Sequence, residues 1–257
     1  MALFETRFYA RSIDLSVGLN IILPDHSEAW QEPPAVLYLL HGLSGDHTSW
    51  CRSSSIERYA RDYNLAVIMP DAHKSFYCDM EHGSNYWNLF SEELPMLINR
   101  WFNISADWKK TFIAGASMGG YGAMKLALGC SGRFSHAASL SGALDIASHI
   151  NDDWDESRLR TFDAVFDALE KVPTSGNDLI HQLQTMKSVP ATAFYVCCGT
   201  GDYLYQDSVT FRKTAETAGL HLTYDETAGA HDWNYWDAEI QTILDWLPIE
   251  KLEKAIE

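Results

Sequence analysis

Five short apolar runs, spread through the chain and separated by helix-like segments, limit what this sequence can fold into. They are "AVLYLL" (35–40), "LAVIMP" (65–70), "KTFIAGAS" (110–117), "HAASLSG" (136–142) and "ATAFYVCCG" (191–199). Each reads as a buried strand. "HLTYDE" (221–226) adds a sixth strand with an alternating pattern. Between them, "SIERYARDY" (55–63) has amphipathic spacing, with serines available as caps. Further helices are expected within 86–103 and at 119–129, 205–218 and 232–246. Pro95 must kink the first of these or lie near its start. Buried strands alternating with helices imply right-handed crossovers and a mostly parallel sheet covered on both faces, an α/β fold. Ahead of this pattern, residues 6–23, "TRFYARSIDLSVGLNIIL", partly alternate and read as an antiparallel hairpin. With 257 residues, no repeat and no clear linker, residues 1–257 read as one domain.

The segment 143–188 breaks the rhythm. "NDDWDES", "TFDAVFDALE" and "GNDLIHQLQTM" are helix-like. They read as a small helical insertion, or lid, at the carboxyl edge of the sheet, where substrate walls lie. The acidic runs within it read as a solvated face.

One serine stands out. In "TFIAGASMGGYGAMKLAL" (111–128), Ser117 sits where strand gives way to helix, two residues after Gly115 and two before Gly119. A tight turn that happens to hold a serine is the plain reading. A strained elbow that presents a nucleophile is the sharper one. The helix behind Ser117 would aim N–H groups and a positive dipole at an oxyanion formed near its hydroxyl.

A serine hydroxyl needs a base, and the base needs an orienting carboxylate. In an elbow enzyme of this type, acid and then histidine follow the serine along the chain. Of ten histidines only His221 and His231 lie beyond position 190. His221 falls in the alternating strand. His231 sits in the small-residue loop of "TAGAHDWNYW" and is the candidate base. Asp202, just past the apolar run in "YVCCGTGDYLY", is the candidate acid, ahead of Asp207 and Asp225. A structural role for Asp202, as a cap or Asx-turn, is the competing reading. The Met118 N–H, next to the serine, is one candidate oxyanion donor. The Leu43 N–H, in the loop after "AVLYLL-His41-Gly42", is the other. His41 reads as a buttress of that loop.

Composition removes other roles. The formal charge is −16, from 19 basic and 35 acidic residues, which disfavours nucleic acid and anionic membrane as partners. No apolar run approaches a membrane span, and the N-terminus lacks the pattern of a secretory signal. The five cysteines show no C-x-x-C spacing and read as free thiols in a reducing compartment, so a cytoplasmic location is expected. "DAHKSFYCDMEH" (71–82) gathers Asp, His, Cys and Glu, but its spacing matches no standard zinc motif. It reads as a loop at the edge of the site, with no metal. Among aromatic residues that could wall a pocket (Tyr86, Trp87, Trp154, Phe162, Phe166 and Trp233), Trp154 and Trp233 are the candidates for substrate contact.

Taken together, "HGLSGDHTSW", "GASMGGYGA", "GTGDYLY" and "GAHDWNYWD" resemble the small bacterial carboxylesterases of the esterase D type. Among these, the chain is most similar to tributyrin or acetyl esterases and the related feruloyl esterases. The resemblance spans nearly the whole chain. It implies an α/β-hydrolase fold, no cofactor, a small-molecule ester substrate, and a triad on Ser117, Asp202 and His231 with oxyanion donors at Leu43 and Met118. S-formylglutathione hydrolases look similar overall but differ at "LHGLSGDHTSW", and the acidic charge of the chain suits an anionic conjugate poorly. Acyl transfer to an alcohol is a rival chemistry for the same acyl-enzyme, and a non-catalytic binding role on the same scaffold is a rival from outside catalysis. The natural ester, between acetylated sugars, short glycerides and hydroxycinnamates, stays open, as does assembly into a homo-oligomer.

Overall fold

The computed structural model describes residues 1–25 and 32–251. Among them, eight strands form one sheet: β1 (Ala2–Ala10), β2 (Leu15–Leu23), β3 (Ala35–Leu40), β4 (Leu65–Pro70), β5 (Thr111–Ala116), β6 (His136–Leu140), β7 (Ala193–Gly199) and β8 (Leu222–Thr227). Their order across the sheet is β1-β2-β4-β3-β5-β6-β7-β8. The first two strands form the expected hairpin, and β2 joins β4 antiparallel. Every later pairing is parallel. The hairpin turn is held from outside, because the Arg11 and Ser12 N–H groups donate to the Glu93 carboxylate at 2.7 and 2.8 Å.

Nine α-helical segments surround the sheet among the described residues: α1 (Ser49–Ser53), α2 (Ile56–Ala60), α3 (Tyr86–Asn88), α4 (Leu94–Trp101), α5 (Met118–Gly129), α6 (Glu156–Phe166), α7 (Leu179–Thr185), α8 (Tyr205–Ala218) and α9 (Trp233–Trp246). The central strands are buried on both faces. Val36, Tyr38 and Leu40 pack into one core with α5 and α8, whereas Leu37 and Leu39 pack into the other with α2 and α9. This two-sided cover is why the runs read as continuous apolar stretches.

Three local features differ from the pattern-based expectation. The run from Tyr86 to Trp101 is helical, but α3 and α4 are joined by a π-helical turn, Leu89–Glu93; Pro95 falls in the first turn of α4, near a helix start as expected. The π-turn closes through the Leu94 N–H on Leu89 O, and a proline in the first turn of a helix costs little because its N–H would have no partner within the helix. Helix α1 has no clear amphipathic pattern. It forms around Trp50, which is fully buried and whose Nε1–H donates to Leu40 O at 3.0 Å. Ser54, rather than Ser55, serves α2 with its side chain, accepting from the Ile56 N–H at 3.3 Å.

The segment after β6 holds α6 and α7 with two 3₁₀ turns, Ile146–Asn151 and Leu169–Lys171. It is tied back to α5: the Tyr121 hydroxyl donates to Asn177 O at 2.8 Å, and the buried Lys125 Nζ reaches Asn177 Oδ1 at 2.5 Å. All five cysteines are free thiols in the structure.

Helix α5 lies so close to the sheet that a Cβ on Gly119 would sit 2.4 Å from the Leu40 carbonyl oxygen. Because that neighbour is backbone, it cannot rotate away. Gly119→Ala is therefore expected to lower the unfolding free energy by about 1–3 kcal/mol, measured by urea denaturation. A variant as stable as the parent would contradict this packing.

Candidate active site

Ser117 occupies the junction of β5 and α5 with φ 57° and ψ −119°. A non-glycine residue held there stores about 1–3 kcal/mol of strain. The backbone is fixed in that state by its partners: the Ser117 N–H donates to Leu140 O at 2.9 Å, and its carbonyl accepts from the Tyr121 N–H at 3.1 Å. Glycine at 115 permits the geometry, since a Cβ there would fall 2.4 Å from the Gly119 backbone. The side chain is left at the carboxyl end of the sheet, nearly buried.

Two other loops end at the same place. The loop after β7 carries Asp202, and the loop between β8 and α9 carries His231. They are joined to each other, because the Thr200 N–H donates to Thr227 O at 2.8 Å and the Gly201 N–H to Gly229 O at 2.9 Å. The Asp232 side chain caps α9 by accepting from the Tyr235 N–H at 3.1 Å, which sets where that loop stops. The result is a continuous relay. His231 Nε2 lies 2.9 Å from Ser117 Oγ, and His231 Nδ1 lies 3.0 Å from both Asp202 oxygens.

The electrostatics suit a proton relay. Burial pushes the Asp202 carboxyl up, but the hydrogen bond to His231, the Leu204 N–H and the adjacent imidazole outweigh it and hold the group below its ordinary value. An ionised Asp202 accepts from His231 Nδ1–H and leaves Nε2 with a lone pair facing the serine hydroxyl. The Leu204 N–H reaches Asp202 Oδ1 at 2.8 Å, so the Asx-turn role and the orienting role fall to the same carboxylate. The imidazole is set between Tyr203, with ring centroids 4.5 Å apart, and Trp236, edge-on at 5.0 Å.

The remaining acids and histidines of the sequence reading lie elsewhere. Asp225 accepts from the Tyr195 hydroxyl at 3.3 Å. Asp207 is paired with His149. His221 is exposed just ahead of β8. His41 is buried, takes the Ala72 N–H on Nε2 at 2.9 Å and places Nδ1 2.8 Å from Gly42 O. It thereby pins the loop that carries Leu43. Tyr77 supports the same loop by donating to His41 O at 2.9 Å. Gly42 abuts the serine, since a Cβ on it would meet Ser117 Cβ at 3.3 Å. Among the described residues the Leu43 N–H has no protein acceptor. The Met118 N–H opens α5 and is one of the first-turn donors that a helix leaves without an internal partner.

Two spaces meet at Ser117. An open cleft of about 340 Å³ is bordered by Gly42, Arg52, Arg158, Tyr203, Trp233 and Trp236. A small cavity of about 30 Å³ also opens on Ser117, walled mainly by Leu43, Phe76, Met118, Ile146, Trp154 and Phe162, with Arg158 and Tyr203 shared between the two spaces. Trp154 thus borders the cavity and Trp233 the cleft. The other aromatic candidates divide: Phe162 reaches the cavity, Phe166 packs behind it on Phe76, Tyr86 bonds His73 at 2.8 Å, and Trp87 packs against Lys125 and Gly129 away from the site. Sequence reasoning missed Phe76, Tyr203, Trp236, Arg52 and Arg158. Tyr203 and Trp236 stand within the "GTGDYLY" and "GAHDWNYWD" motifs and were the findable ones. In the 71–82 loop, Asp71 Oδ1 lies 3.6 Å from His41 Nε2. No group of three potential metal ligands converges among the described residues.

His149, on the cavity wall, carries no signal in the sequence. Its Nε2 is 2.9 Å from the buried Asp207 and its Nδ1 is 2.5 Å from Asp152. The Asp207 hydrogen bond, against the opposing effect of burial, raises its pKa to about 9. Its carbonyl accepts from Trp154 Nε1–H at 3.2 Å, so the ion pair also seats that indole.

An α/β-hydrolase sheet with serine, imidazole and carboxylate in hydrogen-bonded sequence at its carboxyl edge defines the class. Residues 10–247 match the family model described as "Putative esterase", and the chain belongs to that family. It is 30% identical to an acetyl esterase of Caldicellulosiruptor saccharolyticus, over 96% of this chain and 98% of that protein. Among solved structures it is similar to substrate-bound FphF, a fluorophosphonate-binding serine hydrolase of Staphylococcus aureus. The TM-score is 0.88 at 31% identity, over 96% of this chain and 98% of that one. It is also similar to the apoenzyme of an S-formylglutathione hydrolase (FrmB) of the same organism, with a TM-score of 0.83 at 31% identity and the same coverage. The chain is a carboxylic ester hydrolase of the serine type. Among the described residues no helix is long and apolar enough to cross a membrane.

The His149 pair has a pH signature. A histidine whose folded pKa is raised to about 9 from an unfolded value near ~6.5 contributes stability fully below ~6.5 and loses it as pH rises through 9. Between these limits the wild-type unfolding free energy should fall on the order of 2 kcal/mol more than that of His149→Gln. Parallel pH profiles in chemical denaturation would contradict the pairing.

Proposed function

We propose that the chain hydrolyses esters of short acyl groups through an acyl-enzyme on Ser117. The observation that carries this reading is the small, mainly apolar cavity beside the Ser117–His231–Asp202 relay, which has room for an acetyl-sized group. The kinship with an acetyl esterase supports it.

In this reading Ser117 Oγ attacks the acyl carbon while His231 Nε2 takes its proton. Asp202 holds the imidazole and stabilises the cation that forms. The carbonyl oxygen becomes an oxyanion held by the Leu43 and Met118 N–H groups, each worth about 3 kcal/mol in the transition state. His231 then protonates the leaving alcohol, which departs through the open cleft along Trp233. Water enters by the same route, is deprotonated by His231 and releases the acid. The residues 143–188 act as the wall of the acyl cavity through Trp154 and Phe162, within one catalytic domain.

Ser117→Ala is expected to reduce kcat for p-nitrophenyl acetate by at least ~10³-fold, at least about 4 kcal/mol of transition-state stabilisation, with thermal stability retained. Near-parental turnover would end the assignment. Trp154→Ala should open the cavity, raising kcat/KM for the octanoyl ester relative to the acetyl ester by about tenfold, the effect of accommodating about two further methylenes at about 0.8 kcal/mol each. An unchanged acyl-length profile would move the acyl group out of this cavity.

A further inference from the structure

We infer that the leaving-group cleft selects esters whose alcohol portion carries a compact anion, a carboxylate or a phosphate, held by Arg52 and Arg158. The inference rests on the reading of Ser117 as an ester nucleophile and adds the substrate class.

The cleft is electrostatically unlike the rest of the molecule. The chain carries a formal charge of −16, yet the permanently charged side chains bordering the cleft are Arg52, Arg158 and Asp46. Asp46 is turned into its own turn, accepting from the Thr48 N–H at 2.8 Å and the Thr48 hydroxyl at 2.6 Å. The two arginines have no such engagement. Among the described residues neither has a carboxylate within ion-pair distance. Arg52 makes one 3.2 Å bond to the Thr48 hydroxyl, and Arg158 lies over the Trp154 ring at 5.1 Å. Most of their N–H donors therefore remain free for a ligand.

The fork of a guanidinium matches the paired oxygens of a carboxylate or phosphate. Two unpaired arginines in a chain with 16 surplus negative charges also single out this concavity as the point where an anion is attracted rather than repelled. The global charge, which argues against an anionic substrate, has the wrong sign for the place where substrate binds.

The anion belongs to the alcohol and not to the acyl group. Arg52 borders the cleft and not the small cavity. The cavity walls are largely apolar; of the two cations on them, His149 is neutralised by Asp207 and Asp152, and Arg158 is shared with the cleft. An anionic acyl group would have to be buried among Phe76, Ile146, Trp154 and Phe162 with Arg158 alone as counter-charge and no contribution from Arg52. An anionic alcohol extends into the cleft, where both guanidinium groups lie.

The test compares three acetate esters on the same enzyme sample: 3-acetoxybenzoate, 3-acetoxyphenyl phosphate and the neutral 3-acetoxybenzamide. Each kcat/KM is divided by the spontaneous alkaline hydrolysis rate, which removes leaving-group differences. At low salt the inference expects at least one anionic ester to exceed the neutral one by about tenfold, mainly through KM. The better of the two identifies the anion. The ratio should fall below about threefold in 0.5 M sodium chloride, by screening, and in each of Arg52→Gln and Arg158→Gln. Reading a ratio on one sample cancels any loss of folded enzyme. A ratio near one in the wild type, or a preference that survives both substitutions, overturns the inference. If none of the three esters is hydrolysed, the ester-hydrolase reading itself fails. If the esters are hydrolysed without any anionic advantage, only the arginine subsite fails.

Discussion

Between Gly115 and Gly119 the chain leaves β5 and enters α5 with no space for a side chain at either end. That contact has three consequences. It forces Ser117 into a backbone state with φ 57°. It brings the first N–H groups of α5 to the carboxyl edge of the sheet, where they add a positive dipole. It also presses α5 against β3, so that the loop leaving β3, with Gly42 and Leu43, runs beside the serine. A looser helix would leave a hydroxyl on a surface turn, with no donors opposite it. The strain at Ser117 is offset by burial on both sides of the strand and by the hydrogen bonds to Leu140 and Tyr121.

Three histidines near the site show how neighbours assign a role to the same ring. His41 is enclosed by the Ala72 N–H and the Gly42 carbonyl, which consume both nitrogens and make it a bracket. His149 faces carboxylates from both nitrogens and serves as a fixed cation. His231 has a carboxylate on one side only and a hydroxyl on the other, which leaves it able to pass a proton. The division of space is equally asymmetric. A cramped, mainly apolar cavity and an open cleft meet at Ser117; Arg158 borders both, and Arg52 borders the cleft alone. An ester lying across the serine would have its two halves sorted by size and polarity.

Much of the architecture was legible because its signals are local and periodic. The buried runs of β3 to β7 are apolar on both faces, and the hairpin alternates. The small-residue knot around Ser117 has few other uses between a strand and a helix. The order serine, aspartate, histidine named the residues that the structure brings within hydrogen-bond distance. What escaped was set by tertiary contacts. Helix α1 forms because Trp50 finds Leu40 O, which no pattern in "SWCRS" announces. Phe76 reaches the cavity from a loop residue with φ 52°, a conformation that phenylalanine does not advertise. Arg158 belongs to a segment whose acidic runs read as a solvated face, and Arg52 to a helix too short to read. His149 becomes a cation only because Asp207, 58 residues away, lies against it.

The proposed relay and oxyanion donors are tested most directly by a crystal structure of the enzyme reacted with a small fluorophosphonate. The account predicts phosphorus bonded to Ser117 Oγ, with the phosphoryl oxygen about 2.7–3.1 Å from both the Leu43 and Met118 nitrogens. Phosphorus on another residue, or a phosphoryl oxygen turned away from these two N–H groups, would contradict it.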